Sequence, residues 1–267
     1  MIAELYEKAF ARCTAELVAL DTGVRLSNDP DAIHDARVAL RHLRSYLRTF
    51  RTILDRAWAE GLRDRMRWLD EHLAAAHDLD VLVALLEVRG KNDDGEPVPR
   101  SLLDELRTER EERHDRMRAA LHEPRYLVLL EEIVAAARSP QFVEAAQEPA
   151  RKALPKLMGA VWRRLRKRVH AYDNEPTDAA LHKIRIAAKH VRYAAECFEP
   201  LREKRAKRLA KHAARLQMLL GDHHDAVMAA ARLAAQPSAP EVAGLRPKPP
   251  RWRRMWYAME AAYNRLT

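Results

Sequence analysis

The chain predicts an all-α fold, arranged as two pseudo-symmetric, internally duplicated helical bundles. Three observations carry this. Only seven of its 267 residues are glycine, and helix-forming Ala, Leu, Arg and Glu dominate. Apolar residues recur at helical spacing from end to end, with no alternating strand pattern and no Asn-Gly hairpin. One motif occurs twice, 148 residues apart, at His34 and His182. Hydrophobic residues make up 48% and charged residues 33% of the chain, enough for one large or two modest folded cores and unlike a disordered segment.

Residues 2–27 read as an amphipathic helix with Leu5, Ala9, Leu17 and Leu20 among its apolar positions. Asn28, Asp29 and Pro30 interrupt it. Asp29 suits an N-cap, and Pro30 suits the first helical position, where its missing N–H is no loss. The next helix covers about 30–54 and a third about 56–75, with Trp58, Leu62, Met66, Leu69 and Leu73 inside and Arg63 and Arg67 on one face. A fourth is expected from His77 or Asp78, in AHDLDVLVALLEV. Residues 89–99, RGKNDDGEPVP, combine glycine, proline and charge as a loop does. In the helix at about 100–121, Glu and Arg fall three or four apart, as on an ion-paired outer face. Pro124 opens a shorter helix, about 125–137, which Ser139 and Pro140 break.

A long helix at about 149–172 contains VWRRLRKRVH, the densest basic run, with Val161, Trp162, Leu165 and Val169 on its apolar side. After a break at Asn174–Asp178, Thr177 or Asp178 can cap a helix that lasts to Glu199-Pro200. Another, about 202–220, carries Lys204, Lys207, Lys211 and Arg215, and Gly221 is expected to end it in the left-handed conformation. A helix from Asp222 then echoes the one at His77, the offset from His77 to His224 being 147 residues. A loop at 236–250 and a final helix, RWRRMWYAMEAAYNRL, close the chain. The expected organisation is one domain over 1–267. Its first repeat covers about 1–123 and its second about 140–267, with a short helical connector at about 124–139.

The chemistry concentrates in HDARVALRHLRSYLRTF and HKIRIAAKHVRYAAECF. On a helix, His34, Arg37, Arg41, Arg44 and Arg48 share an arc of about 80° at about 100° per residue. Leu40, Leu43, Tyr46, Leu47, Phe50 and Leu54 take the other side. His182, Arg185, Lys189 and Arg192 repeat the first four positions. Like charges four apart destabilise a helix by a few tenths of a kcal/mol per pair. No carboxylate stands among these positions, so the columns ask for an anion. The whole chain carries 48 Lys and Arg against 39 Asp and Glu, a net +9, which favours polyanionic partners. Arginine makes bidentate contacts to phosphate oxygens, while Lys189 would act as a compact point charge. His34 and His182 stand in first turns, where the helix dipole favours anions, and their contribution should fade above neutral pH. Asp78 and Asp225 would oppose a polyanion and are read as helix caps or partners of a neighbouring Arg.

The paired His-x-x-Arg-x-x-x-Arg/Lys-x-x-Arg helices, followed by LAAAHDLDV and LLGDHHDAV, make the chain resemble the CHAD family, the conserved-histidine α-helical domain. The resemblance spans nearly the whole chain. It implies two helical bundles around a basic central cavity, and non-catalytic binding of inorganic polyphosphate, in some members at polyphosphate granules. It places His34, Arg37, Arg41, Arg44, His182, Arg185, Lys189 and Arg192 on the cavity wall. Arg48 extends the first column, although Glu196 stands at the matching place in the second. Arg63, Arg67, Lys207 and Lys211 are further basic contributors. The triphosphate-tunnel catalytic domain of some members has no counterpart here, so no catalytic residue, metal or cofactor carries over.

Two other readings compete, beside that of the basic tail as an amphipathic helix lying on a membrane. His34-Asp35, His77-Asp78 and His224-Asp225 are similar to the doublet of HD-type metal-dependent phosphohydrolases. The duplication argues against it, because one metal centre draws different ligands from different helices. A nucleic-acid-binding helical protein is the other reading, since RWRRMWY could stack on bases, yet both cation columns lack aromatics. Cys13 and Cys197 fall in amphipathic helices and read as buried, reduced thiols. No apolar run is long enough for a membrane span, and the charged N-terminus does not resemble a signal peptide, so the expectation is a cytoplasmic protein. Self-association stays open.

Overall fold

Local chemistry sets most helix boundaries. The computed structural model describes residues 1–26, 29–92, 100–197, 199–234 and 250–266. Among them lie nine α-helices: α1 (Ile2–Leu26), α2 (Pro30–Thr49), α3 (Arg56–Asn92), α4 (Arg100–Leu121), α5 (Pro124–Arg138), α6 (Ala150–Asn174), α7 (Asp178–Cys197), α8 (Glu199–Ala234) and α9 (Arg253–Leu266). A 3₁₀ turn at Glu144–Gln147 precedes α6. No strand is present among the described residues, only an isolated antiparallel bridge between Leu54 and Phe142. The all-α fold therefore holds.

Asp29 caps α2 through a 2.9 Å bond from the Asp31 N–H to its carboxylate, with Pro30 in the first turn. Asp55 does the same for α3, accepting the Trp58 N–H at 2.8 Å. Thr177 Oγ1 accepts the Ala180 N–H at 3.1 Å and starts α7.

Four expectations are corrected. The helices expected at 56–75 and from His77 are one, α3, because Ala74, Ala75 and Ala76 join them and offer no break. The same holds in α8, where Gly221 lies inside a continuous helix and no described glycine has positive φ. The loop expected from 89 starts later, since α3 runs to Asn92. Helix α2 stops at Thr49 rather than 54, and the bridge to Phe142 takes over the chain there. The rest of that loop, 93–99, and most of the loop expected at 236–250 lie outside the described residues.

The chain forms two compact units, Tyr6–Ala145 and Met1–Leu5 with Ala146–Thr267. In the first, α3 is the spine on which α2, α4 and α5 pack. Its core takes Leu40, Leu43 and Leu47 from α2 and Leu62, Met66, Leu69 and Leu73 from α3. Tyr6 closes one end, with ring centroids 5.3 Å from Phe10 and 5.5 Å from Phe50. The Ile53 carbonyl accepts the Val143 N–H at 3.0 Å, which ties the end of α2 to the segment after α5. In the second unit α7 packs between α6 and α8, and α9 lies on α8. Trp162 stacks between Trp256 and Tyr263 at 5.2 and 4.1 Å. The aromatic residues of the final helix thus serve the core, except Tyr257, which is exposed.

Candidate anion-binding columns

Packing α2 on α3 turns the first column of cations toward α3. Ile33, Ala36, Leu40 and Leu43 are buried, which leaves the adjoining edge of α2 to His34, Arg37, Arg41 and Arg44. At the head, His34 Nδ1 lies 3.0 Å from His77 Nε2, one ring N–H donating to the other ring nitrogen. Burial, then the neighbouring Arg37 and His34, hold the His77 imidazole below the ordinary histidine value. One turn on, Arg37 is only 5% exposed and donates from Nη1 to Asp78 Oδ1 at 3.1 Å. Burial and then the nearby Arg41 lower the pKa of its guanidinium. Arg44 donates to Asp70 Oδ2, and Arg41 Nε lies 4.0 Å from Asp70 Oδ1. Arg48 stands half-buried at the outer end.

The column is therefore partly neutralised, by carboxylates that sit on α3 rather than on α2. The neutralisation is incomplete. The buried Nε–H groups of Arg37, Arg44 and Arg63 have no acceptor among the described residues. Arg63 sits near Arg44, which lowers its pKa after burial does. Arg63 thus joins the column from α3, whereas Arg67 is exposed and donates to Asp64 at 2.6 Å within its own helix.

The second unit carries its own column on α7. His182 and His224 rings lie 4.2 Å apart, and His182 Nδ1 is buried with no hydrogen-bond partner among the described residues. Burial lowers the His182 pKa, and His224, Arg185 and Lys189 lower it further. Those residues therefore share one electrostatic neighbourhood. Arg192 is turned to Glu196, at 2.9 Å from Nε to Oε1, so the outer end of this column is ion-paired where the first has Arg48. His223 Nε2 meets Asp178 at 2.7 Å and clamps α8 to the start of α7. Gly221 faces the column, since a Cβ there would stand 3.4 Å from Arg185 Nε. Lys207 and Lys211 are exposed on α8.

Sequence reasoning missed Asp70, His77 as a ring partner, the Asp178–His223 clamp and the role of Gly221. Each depends on which residue of another helix comes opposite, and spacing within one helix carries no signal for that. Of the His-Asp doublets, Asp78 is engaged by Arg37. The one cluster of His, Cys and carboxylate close enough to share an ion, among the described residues, is Cys13, Glu16 and His42. Burial pushes the Cys13 thiol there up to about 11.

Among solved structures, the chain is similar to the CHAD domain from the plant Ricinus communis (25% identity, TM-score 0.70), covering 99% of this chain and 86% of that one. It is also similar in fold to PptA from Streptomyces chartreusis, with a TM-score of 0.71 at 22% identity over 98% and 99% of the two chains. Uncharacterized protein Rv2226 of Mycobacterium tuberculosis is 29% identical over 259 residues, 91% of this chain. The chain spans 47%, about half, of that relative's length. No described helix is long and apolar enough to cross a membrane. The CHAD domain family model matches residues 8–234, and with the two histidine-headed helices inside that span the chain belongs to the CHAD domain family.

Proposed function

We propose that this chain binds inorganic polyphosphate, without chemistry, through the cation columns of α2 and α7. His34, Arg37, Arg41, Arg44 and Arg48 form the first contact set, with Arg63 added from α3. His182, Arg185, Lys189 and Arg192 form the second. The observation that carries the reading is the set of buried guanidinium Nε–H donors on Arg37, Arg44 and Arg63 without acceptors. Buried polar groups are nearly always hydrogen-bonded, so such donors favour an anionic ligand. Phosphate oxygens match them in charge and geometry. The crowding of cations around Arg37, Arg63 and His182 supports the same conclusion, because a polyanion relieves it. A polymer with no bases needs no aromatic platform, and the columns contain none. The cellular role this implies is attachment to polyphosphate granules in the cytoplasm.

Arg37 is a poor probe, since a carboxylate introduced at this buried site would stand beside Asp78 and threaten folding. Arg41 and Lys189 are only half-buried and keep the helices intact when changed. The double variant Arg41→Gln with Lys189→Gln should keep its melting temperature and lose at least about tenfold in polyphosphate affinity, measured by calorimetry at low salt. Unchanged affinity in a folded double variant rejects the columns as the site.

A further inference from the structure

A second set of cations lies on α8, facing away from α7. At about 100° per residue, Lys204, Arg208, Lys211 and Arg215 share an arc of about 60°. The centre of that arc lies about 110° around the helix from Gly221 and about 170° from His224, the residues of α8 that meet the α7 column. All four are exposed, and the row runs about 16 Å along the axis at 1.5 Å per residue. Arg265, exposed on α9, stands close by. His212 adjoins the row. Its pKa is lowered by burial and then by Arg215, Arg208, Arg265 and Lys211. Its Nδ1 is buried with no hydrogen-bond partner among the described residues.

Helix α4 shows what a solvated face looks like in this chain. There Arg107, Arg110, Arg113, Arg116 and Arg118 each hold a carboxylate, four of them one that stands three or four residues away on the same helix. Among the described residues, no such ion pair serves Lys204, Arg208, Lys211 or Arg215. Like charges at i, i+4 weaken the helix by a few tenths of a kcal/mol per pair. The next carboxylate of α8 in line with the row is Asp222, seven residues on and about 10 Å further along the axis.

We propose that this face of α8, with Arg265 beside it, is a second binding strip for linear polyphosphate, separate from the α7 column. The inference rests on polyphosphate being the ligand of the columns. A single row of point charges suits a single linear polyanion, and the row carries no aromatic side chain on which a nucleic-acid base could stack. A long polymer held by a column reaches the strip at high effective concentration, so the strip adds affinity for long chains and none for short ones.

The test is the triple variant Lys204→Gln, Arg208→Gln, Arg215→Gln, titrated with tripolyphosphate and with long-chain polyphosphate over a range of salt. We expect tripolyphosphate affinity within about twofold of wild type and long-chain affinity reduced at least about tenfold. The slope of log affinity against log salt should fall by about 2, at about 0.7 per lost single-strand contact. Melting at or above the wild-type temperature will show that the row is not structural. Unchanged long-chain affinity overturns the strip. Equal loss of tripolyphosphate overturns its separateness. Stronger wild-type binding of duplex DNA than of long polyphosphate at equal charge, abolished in the triple variant, overturns its ligand. A wild type that holds long polymer only through the strip, and binds no tripolyphosphate, leaves the strip standing and sinks the columns. Affinity for neither polymer sinks both.

Discussion

Three histidines of this chain, His77, His182 and His212, are held below the ordinary value, each by burial first and by neighbouring cations next. The unfolded chain therefore takes up a proton at each before the folded chain does. The stability of the ligand-free protein is fully present above about pH 6.5 and declines as the pH falls through that value toward the lower folded ones. Polyphosphate reverses the balance at His182, because a nearby polyanion favours the imidazolium. Affinity should therefore strengthen as the pH drops from about 8 to 6, with net proton uptake, and His182→Gln should flatten the profile. Calorimetry in two buffers of different ionisation enthalpy reads the uptake; identical heats in both would contradict it. Asp70 offers a second handle. It accepts from Arg44 and lies beside Arg41, so Asp70→Asn releases both cations. Stability should drop by about 1 kcal/mol, as for a partly exposed ion pair, while polyphosphate affinity rises severalfold. A column that serves only as scaffold would show the first change without the second.

At the scale of the element, Gly221 shows how a helix can carry a residue that favours breaking it. Glycine costs about 1 kcal/mol relative to alanine inside a helix, and α8 passes through it without positive φ. The added methyl of Gly221→Ala would meet Arg185 Nε at 3.4 Å, an ordinary contact, so that variant should raise stability by about 0.5–1 kcal/mol and keep affinity. Gly221→Leu should push the guanidinium aside and weaken polyphosphate binding without unfolding the helix, a difference that thermal melting and titration together resolve. The same residue marks the limit of reading the chain as a string. Asp29-Pro30, Thr177, Pro124 and Ser139-Pro140 act within a few residues, so the starts and stops they impose are legible without coordinates. The apolar spacing of α2, α3, α6 and α7 is likewise local, and their buried faces follow from it. Whether Gly221 stops a helix or makes room inside one depends on Arg185 of another helix. The carboxylates that temper the first column, Asp70 and Asp78, come from α3 for the same reason. Periodicity shows that a face is cationic; it is silent on what the facing helix supplies.

At the scale of the molecule, the charge excess of +9 has a physical consequence that depends on where the cations stand. On α4, Arg107, Arg110, Arg113, Arg116 and Arg118 are each offset by a neighbouring carboxylate, so that face contributes little to the field felt by a polyanion. Much of the excess stands on α2, α7, the outer row of α8 and the basic run of α6, where like charges repel in the ligand-free protein. A ligand that binds only the folded state adds RT ln(1 + [L]/Kd) to stability, about 2.7 kcal/mol at a hundredfold excess over Kd. For a chain of this size that corresponds to a rise in melting temperature of about 5–10 °C. The rise should be present at low ionic strength and nearly absent at 1 M salt, where the screening length is about 3 Å. Double-stranded DNA at matched charge should give a smaller rise, because the buried donors of Arg37, Arg44 and Arg63 are reached by a slender polymer and not by a duplex. The Arg41→Gln and Lys189→Gln double variant should lose most of the polyphosphate effect while melting normally alone. A salt-insensitive rise that survives in that variant would place the stabilising contact away from the columns.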